Sequence, residues 1–143
     1  MSTPSFVSEV VGVIRRMTLV PDSAPAAHAA MIIAMHHAGL SVVPEWPVVS
    51  NDGRRGRIDL VVSRCGASVA IEIDARKPRR KSLDKLRCFN GGRVLVLRGV
   101  AGNCQLHEID AVVPLRVKLT RGPVDLDRSM VGEAYRSLRR AAR

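Results

Sequence analysis

Three carboxylates, Asp59, Glu72 and Asp74, lie inside two apolar runs, Arg-Ile-Asp-Leu-Val-Val from Arg57 and Val-Ala-Ile-Glu-Ile-Asp from Val69. A carboxylate in a buried strand is costly unless it is paired or holds a cation. The runs are joined by Cys65-Gly66-Ala67, a glycine-bearing break that predicts a β-hairpin. Three acids in one hairpin point to a metal site. Hard oxygen ligands of this kind suit Mg²⁺ or Mn²⁺.

Register can be tested by arithmetic. If Cys65 and Gly66 form the turn, Arg64 faces Ala67 and Asp59 faces Glu72. If the turn is Gly66-Ala67, Asp59 faces Asp74 instead. Opposed residues share a face, and so do residues two apart on one strand. Both registers therefore gather all three carboxylates, whereas a three-residue turn would send Asp59 to the other face.

An Asp on one strand, a hairpin, then Glu72-Ile73-Asp74 resembles the PD-(D/E)XK nuclease superfamily. The resemblance covers roughly residues 23 to 98. It implies a restriction-endonuclease-like α/β core, a central mixed sheet flanked by helices, in the order helix, strand, strand, strand, helix, strand. It also implies a Mg-dependent endonuclease hydrolysing DNA phosphodiester bonds, with Asp59, Glu72 and Asp74 holding the metal near the Ile73 carbonyl. Ile58 stands where the family often has Pro, and Asp74 stands where it has Lys. Relatives of the very-short-patch repair endonucleases also carry Glu-x-Asp. The missing cation must then come from elsewhere. Lys85 is the expected source, because it lies inside the next helix, whereas Lys81 precedes that helix's expected cap, Ser82. His28 lies near the position where the resembled branch often carries a glutamate.

The basic residues frame this centre. Arg54, Arg55 and Arg57 lead into the first carboxylate strand, and Arg76, Lys77, Arg79, Arg80 and Lys81 follow the second. Next to the carboxylates, such runs would draw in a phosphate backbone. The whole chain agrees: 23 Lys and Arg against 13 Asp and Glu give a net charge of +10, the balance expected for a nucleic-acid partner. Aromatics make up only 3%, which argues against a base-stacking platform for single strands.

The remaining elements follow from periodicity. Phe6, Val10, Val13, Ile14 and Met17 predict a helix over 5–17. Ser23 and Pro25 open a second, over 26–37, closed by Gly39. Its His28, His36 and His37 lack i, i+4 spacing and read as solvated or capping residues. Residues 40–50 form a strand that Pro44 and Pro47 confine to an edge. A helix over 83–89 crosses over to a central strand, 93–97, parallel to the Glu72 strand. A strand over 105–115 contains a lesser acidic pair, Glu108 and Asp110. A loop over 120–127 and a basic helix over 129–143 complete one domain of 143 residues.

Three scattered cysteines without a C-x-x-C pair fit a reduced compartment, and no apolar run is long enough for a membrane span. The expectation is a soluble cytoplasmic protein that binds DNA and no membrane. A homodimer would let it cut both strands in one encounter. Two alternatives stand beside the endonuclease: a non-catalytic DNA-binding protein on the same fold, and an interaction protein whose carboxylates are halves of surface ion pairs.

Overall fold

The computed structural model describes residues 2–99 and 104–118. Helix α1 runs over Thr3–Arg15, capped by the Ser2 hydroxyl. A two-residue strand, β1 (Thr18–Leu19), leads to α2 (Ala24–His37). Ser23 caps α2 by accepting from the Ala26 amide at 3.1 Å. Gly39, at φ 79°, closes it. There the Leu40 and Gly39 amides return to the carbonyls of Met35 and His36, a six-to-one and five-to-two closure that needs the left-handed residue.

Then come β2 (Ser41–Val49), β3 (Arg55–Arg64), β4 (Ala67–Ala75), α3 (Arg80–Arg87), β5 (Gly92–Arg98) and β6 (Ala111–Val117). From α2 to β5 the elements follow the expected order. The strands make one mixed sheet in the order β1-β6-β5-β4-β3-β2. Strands β2, β3 and β4 are antiparallel, and β4, β5, β6 and β1 are parallel. Helix α3 supplies the crossover between β4 and β5, and β2 is an edge strand, as expected.

Two apolar layers sandwich the sheet. Phe6, Ile14 and Met31 of α1 and α2 pack on Leu60, Val62 and Ile71. On the other face, Leu86 and Phe89 cover Ile58, Val61 and Leu95. The face therefore alternates along β3, except between Ile58 and Val61, which share a side although they are three apart. That step falls at Asp59. Opposite it on β2, Glu45 adopts φ 56° and the paired residues skip from Pro44↔Leu60 to Trp46↔Ile58.

Several boundaries differ from expectation. Residues 105–110 are not strand: Glu108 has φ 63°, and the Ile109 amide turns back to Leu106, so β6 begins only at Ala111. Helix α3 starts at Arg80, with Ser82 inside it, because the Arg79 amide finds its acceptor in Asp74. The outer side of α2 is less covered than its composition suggests, with Ile33 57% exposed. Strand β1 has no signal of its own, since two residues become a strand only by pairing with β6. The expected loop over 120–127 and helix over 129–143 lie outside the described residues. Cys65, Cys88 and Cys104 are free thiols. Among the described residues no helix is long and apolar enough to cross a membrane.

Candidate active site

The hairpin takes the first of the two registers. Cys65 and Gly66 form its turn, at φ 51° and 81°, the two positive values of a type I′ turn. Arg64 pairs with Ala67 and Leu60 with Ile71, which brings Asp59 opposite Glu72. Regular pairing stops there, and side chains take over the ladder. The Asp59 amide donates to Glu72 Oε1 at 3.1 Å, and the Ile73 amide donates to Asp59 Oδ2 at 2.8 Å. The two carboxylates sit where β3 and β4 part. From the α2 side, His28 Nε2 lies 3.5 Å from Asp59 Oδ2.

Glu72 is fully buried. Its Oε1 meets Lys85 Nζ at 2.8 Å, and its Oε2 is buried and finds no partner among the described residues. Burial lifts its pKa to about 7; Asp59 adds to the rise and Lys85 opposes it. Lys85 also donates to the Arg57 carbonyl at 2.8 Å. Its stem crosses Gly56, where a Cβ would come within 3.2 Å of Lys85 Cδ. The structure thus brings to Glu72 the lysine expected from the sequence.

The raised pKa has a defined sign. In the unfolded chain Glu72 ionises near the ordinary carboxylate value, so between about 4.5 and about 7 the folded state holds the extra proton. Its contribution to stability is therefore complete below that window and is lost as pH rises through it. We expect Glu72→Gln to flatten the pH dependence of the melting temperature between pH 5 and 8, measured without divalent ions. An unchanged profile would show that Glu72 does not titrate in this range.

The expectation of three gathered carboxylates is corrected to a pair plus a separate acid. Asp74 turns to α3: Oδ2 accepts from the Arg79 amide at 2.8 Å, and Oδ1 accepts from Arg79 Nε at 2.9 Å and Ser82 Oγ at 2.7 Å. Among the described residues no three His, Cys, Asp or Glu side chains come together in an arrangement that could hold a metal ion. The lesser acidic pair has other partners. Asp110 accepts from the Arg93 amide, and Glu108 lies 4.0 Å from Arg87.

The basic residues separate into groups. Arg54, from the β2–β3 turn, and Arg55, the first residue of β3, line a groove of about 1070 Å³ together with Arg80, Lys81, Lys85 and Arg87 of α3. Two runs far apart in sequence thus form walls of one cleft, with Lys85 between the cleft and Glu72. Arg57 points to a smaller neighbouring groove and lies 3.9 Å from Glu45. Arg76, at φ 63°, and Lys77 are exposed in the β4–α3 connection, and Arg79 is tied to Asp74. Arg87 went unpredicted as a groove residue. Its spacing from Arg80 and Asp84, one helical face, was the available signal. Compared with known proteins, the chain matches no family model and no curated sequence.

Proposed function

We propose that this protein is a metal-dependent endonuclease that hydrolyses phosphodiester bonds in DNA. The observation that carries the reading is Glu72, a buried carboxylate with one oxygen unpartnered among the described residues, set beside Asp59 and joined by Lys85 to a basic groove. An orphaned buried carboxylate oxygen is expensive, and a divalent cation is the partner that suits it best. Asp59 and Glu72 would hold that ion, Mg²⁺ or Mn²⁺. When bound, it would lower the pKa of a water and stabilise charge on the phosphate.

The chain's own residues account for the rest. The cations of Arg54, Arg55, Arg80 and Lys81 attract and orient the DNA backbone. Lys85 places an ammonium where the reacting phosphate enters, and favours the ionised form of Glu72 that binds a cation. Gly56 leaves room for its stem. His28 Nε2 lies near Asp59 from the α2 side, 3.5 Å from Oδ2. Incubation of supercoiled plasmid with the protein tests the proposal: nicking or linearisation should require Mg²⁺ or Mn²⁺ and stop with chelator.

One observation favours a second reading. Lys85 already neutralises Glu72, so the pair could serve as a structural ion pair in a DNA-binding protein that does not cut. Retention of plasmid without cleavage in either metal would select that reading.

Both readings share the groove, which carries its own prediction. Replacing Arg54, Arg55, Arg80 and Lys81 together with Gln should weaken binding to DNA of any sequence. It should also flatten the dependence of log K on log salt by about one unit for each phosphate that is no longer neutralised. A salt slope equal to the parent's would mean that these side chains are solvated without touching DNA.

A further inference from the structure

Helix α3 has only 8 residues, about two turns, and a helix that short depends on its tertiary attachments for its direction. Its own cap is missing: Arg79, in the capping position, makes no side-chain capping bond. Asp74 supplies the acceptor from the neighbouring strand, taking the Arg79 amide with one oxygen and the Ser82 hydroxyl with the other. At the far end Arg93 donates to the carbonyls of Arg87, Phe89 and Glu108.

The two contacts follow one another along both elements, which run in opposite directions. Glu72 and Asp74 are two residues apart on one face of β4, about 6.6 Å at strand rise. Ser82 and Lys85 are three apart on α3, about 4.5 Å at helical rise. The helix lies along the strand with Ser82 against Asp74 and Lys85 against Glu72.

We propose that Asp74 is a positioning residue: it fixes the start of α3 so that Lys85 reaches Glu72, and it acts through Lys85 rather than by holding a cation. The catalytic weight of that placement rests on the endonuclease reading, but the placement itself can be measured without activity. A lysine ammonium held in hydrogen bonds exchanges its protons slowly enough to give a ¹⁵N-resolved NMR signal, whereas a solvated one does not.

The parent should show such a signal, assigned to Lys85 by its loss in Lys85→Arg. In Asp74→Ala and in Ser82→Ala it should vanish or move. Leu83→Ala, which loosens α3 packing without touching the clamp, should keep it. Paramagnetic broadening by Mn²⁺ near Asp59 and Glu72 should be no weaker in Asp74→Ala than in Lys85→Ala. An unchanged Lys85 signal in folded Asp74→Ala or Ser82→Ala would overturn the proposal, as would a Mn²⁺ affinity tenfold lower in Asp74→Ala than in Lys85→Ala. If Asp74→Ala does not fold, Ser82→Ala, which removes one clamp bond and keeps the carboxylate, decides alone. Absence of Mn²⁺ broadening in the parent would count against the metal reading and leave the Lys85 comparison intact.

Discussion

Lys85→Ala is expected to fold, to bind DNA within a few-fold of the parent, and to cleave it at least ~10²-fold more slowly, the usual scale for one positioned catalytic group. Binding survives because the groove keeps Arg54, Arg55, Arg80 and Lys81. The cost in stability should depend on pH. Without Lys85, burial and the Asp59 charge are opposed only by the Asp59 amide, and the Glu72 pKa rises further above about 7. At pH 6 Glu72 is already protonated in the parent, so little is lost. At pH 8 the folded chain must hold either a proton or an unpaired buried charge, and the melting temperature should fall more. Plasmid cleavage at parental rate would remove Lys85 from the mechanism.

Asp59→Asn should be at least as damaging to cleavage, because it removes half of the proposed cation site. The amide is preferable to alanine as a test. Its oxygen can still accept from the Ile73 amide, which alanine would leave unsatisfied at a cost of about 1–3 kcal/mol. The charge it removes is one that raises the Glu72 pKa, so Glu72 should ionise more readily and its pair with Lys85 should persist. Cleavage and the Mg²⁺-induced rise in melting temperature should both disappear while the fold stays intact. If Asp59→Asn cuts DNA at the parental rate, the metal reading fails. If it is dead while Lys85→Ala is fully active, the metal reading stands and the lysine assignment does not.

The two variants separate because their effects reach Glu72 by different routes. Asp59 acts across the parted strands, from β3. Lys85 acts across the layer, from α3. A change in either is felt at the same buried oxygen pair, so the double variant should lose less than the product of the single effects.

Much of this arrangement could be read from residue order. Strand alternation alone put Glu72 and Asp74 on one face, and β4 keeps them there. The apolar runs, Pro44 and Pro47, and the Ser23-to-Gly39 interval marked edge strand, hairpin and helix, because each is a local steric or hydrogen-bonding preference. The position of Lys85 inside a helix crossing the sheet was also enough to single it out.

Other features needed the folded chain. Two hairpin registers were consistent with the sequence, and the Cys65-Gly66 turn is the one adopted, with both residues at positive φ. Parity said which face Asp74 takes but not which neighbour it meets; α3 descends onto it and claims both oxygens. The meeting of Arg54 and Arg55 with Arg80 and Lys81 depends on how a turn at the sheet edge packs beside a crossover helix. So does the existence of β1, which has no strand identity until β6 lies alongside. Faces, turns and caps follow from interactions a few residues long, which sequence spacing records. Ion-pair partners, cleft walls and short strands follow from the packing of distant segments, and only the tertiary structure decides them.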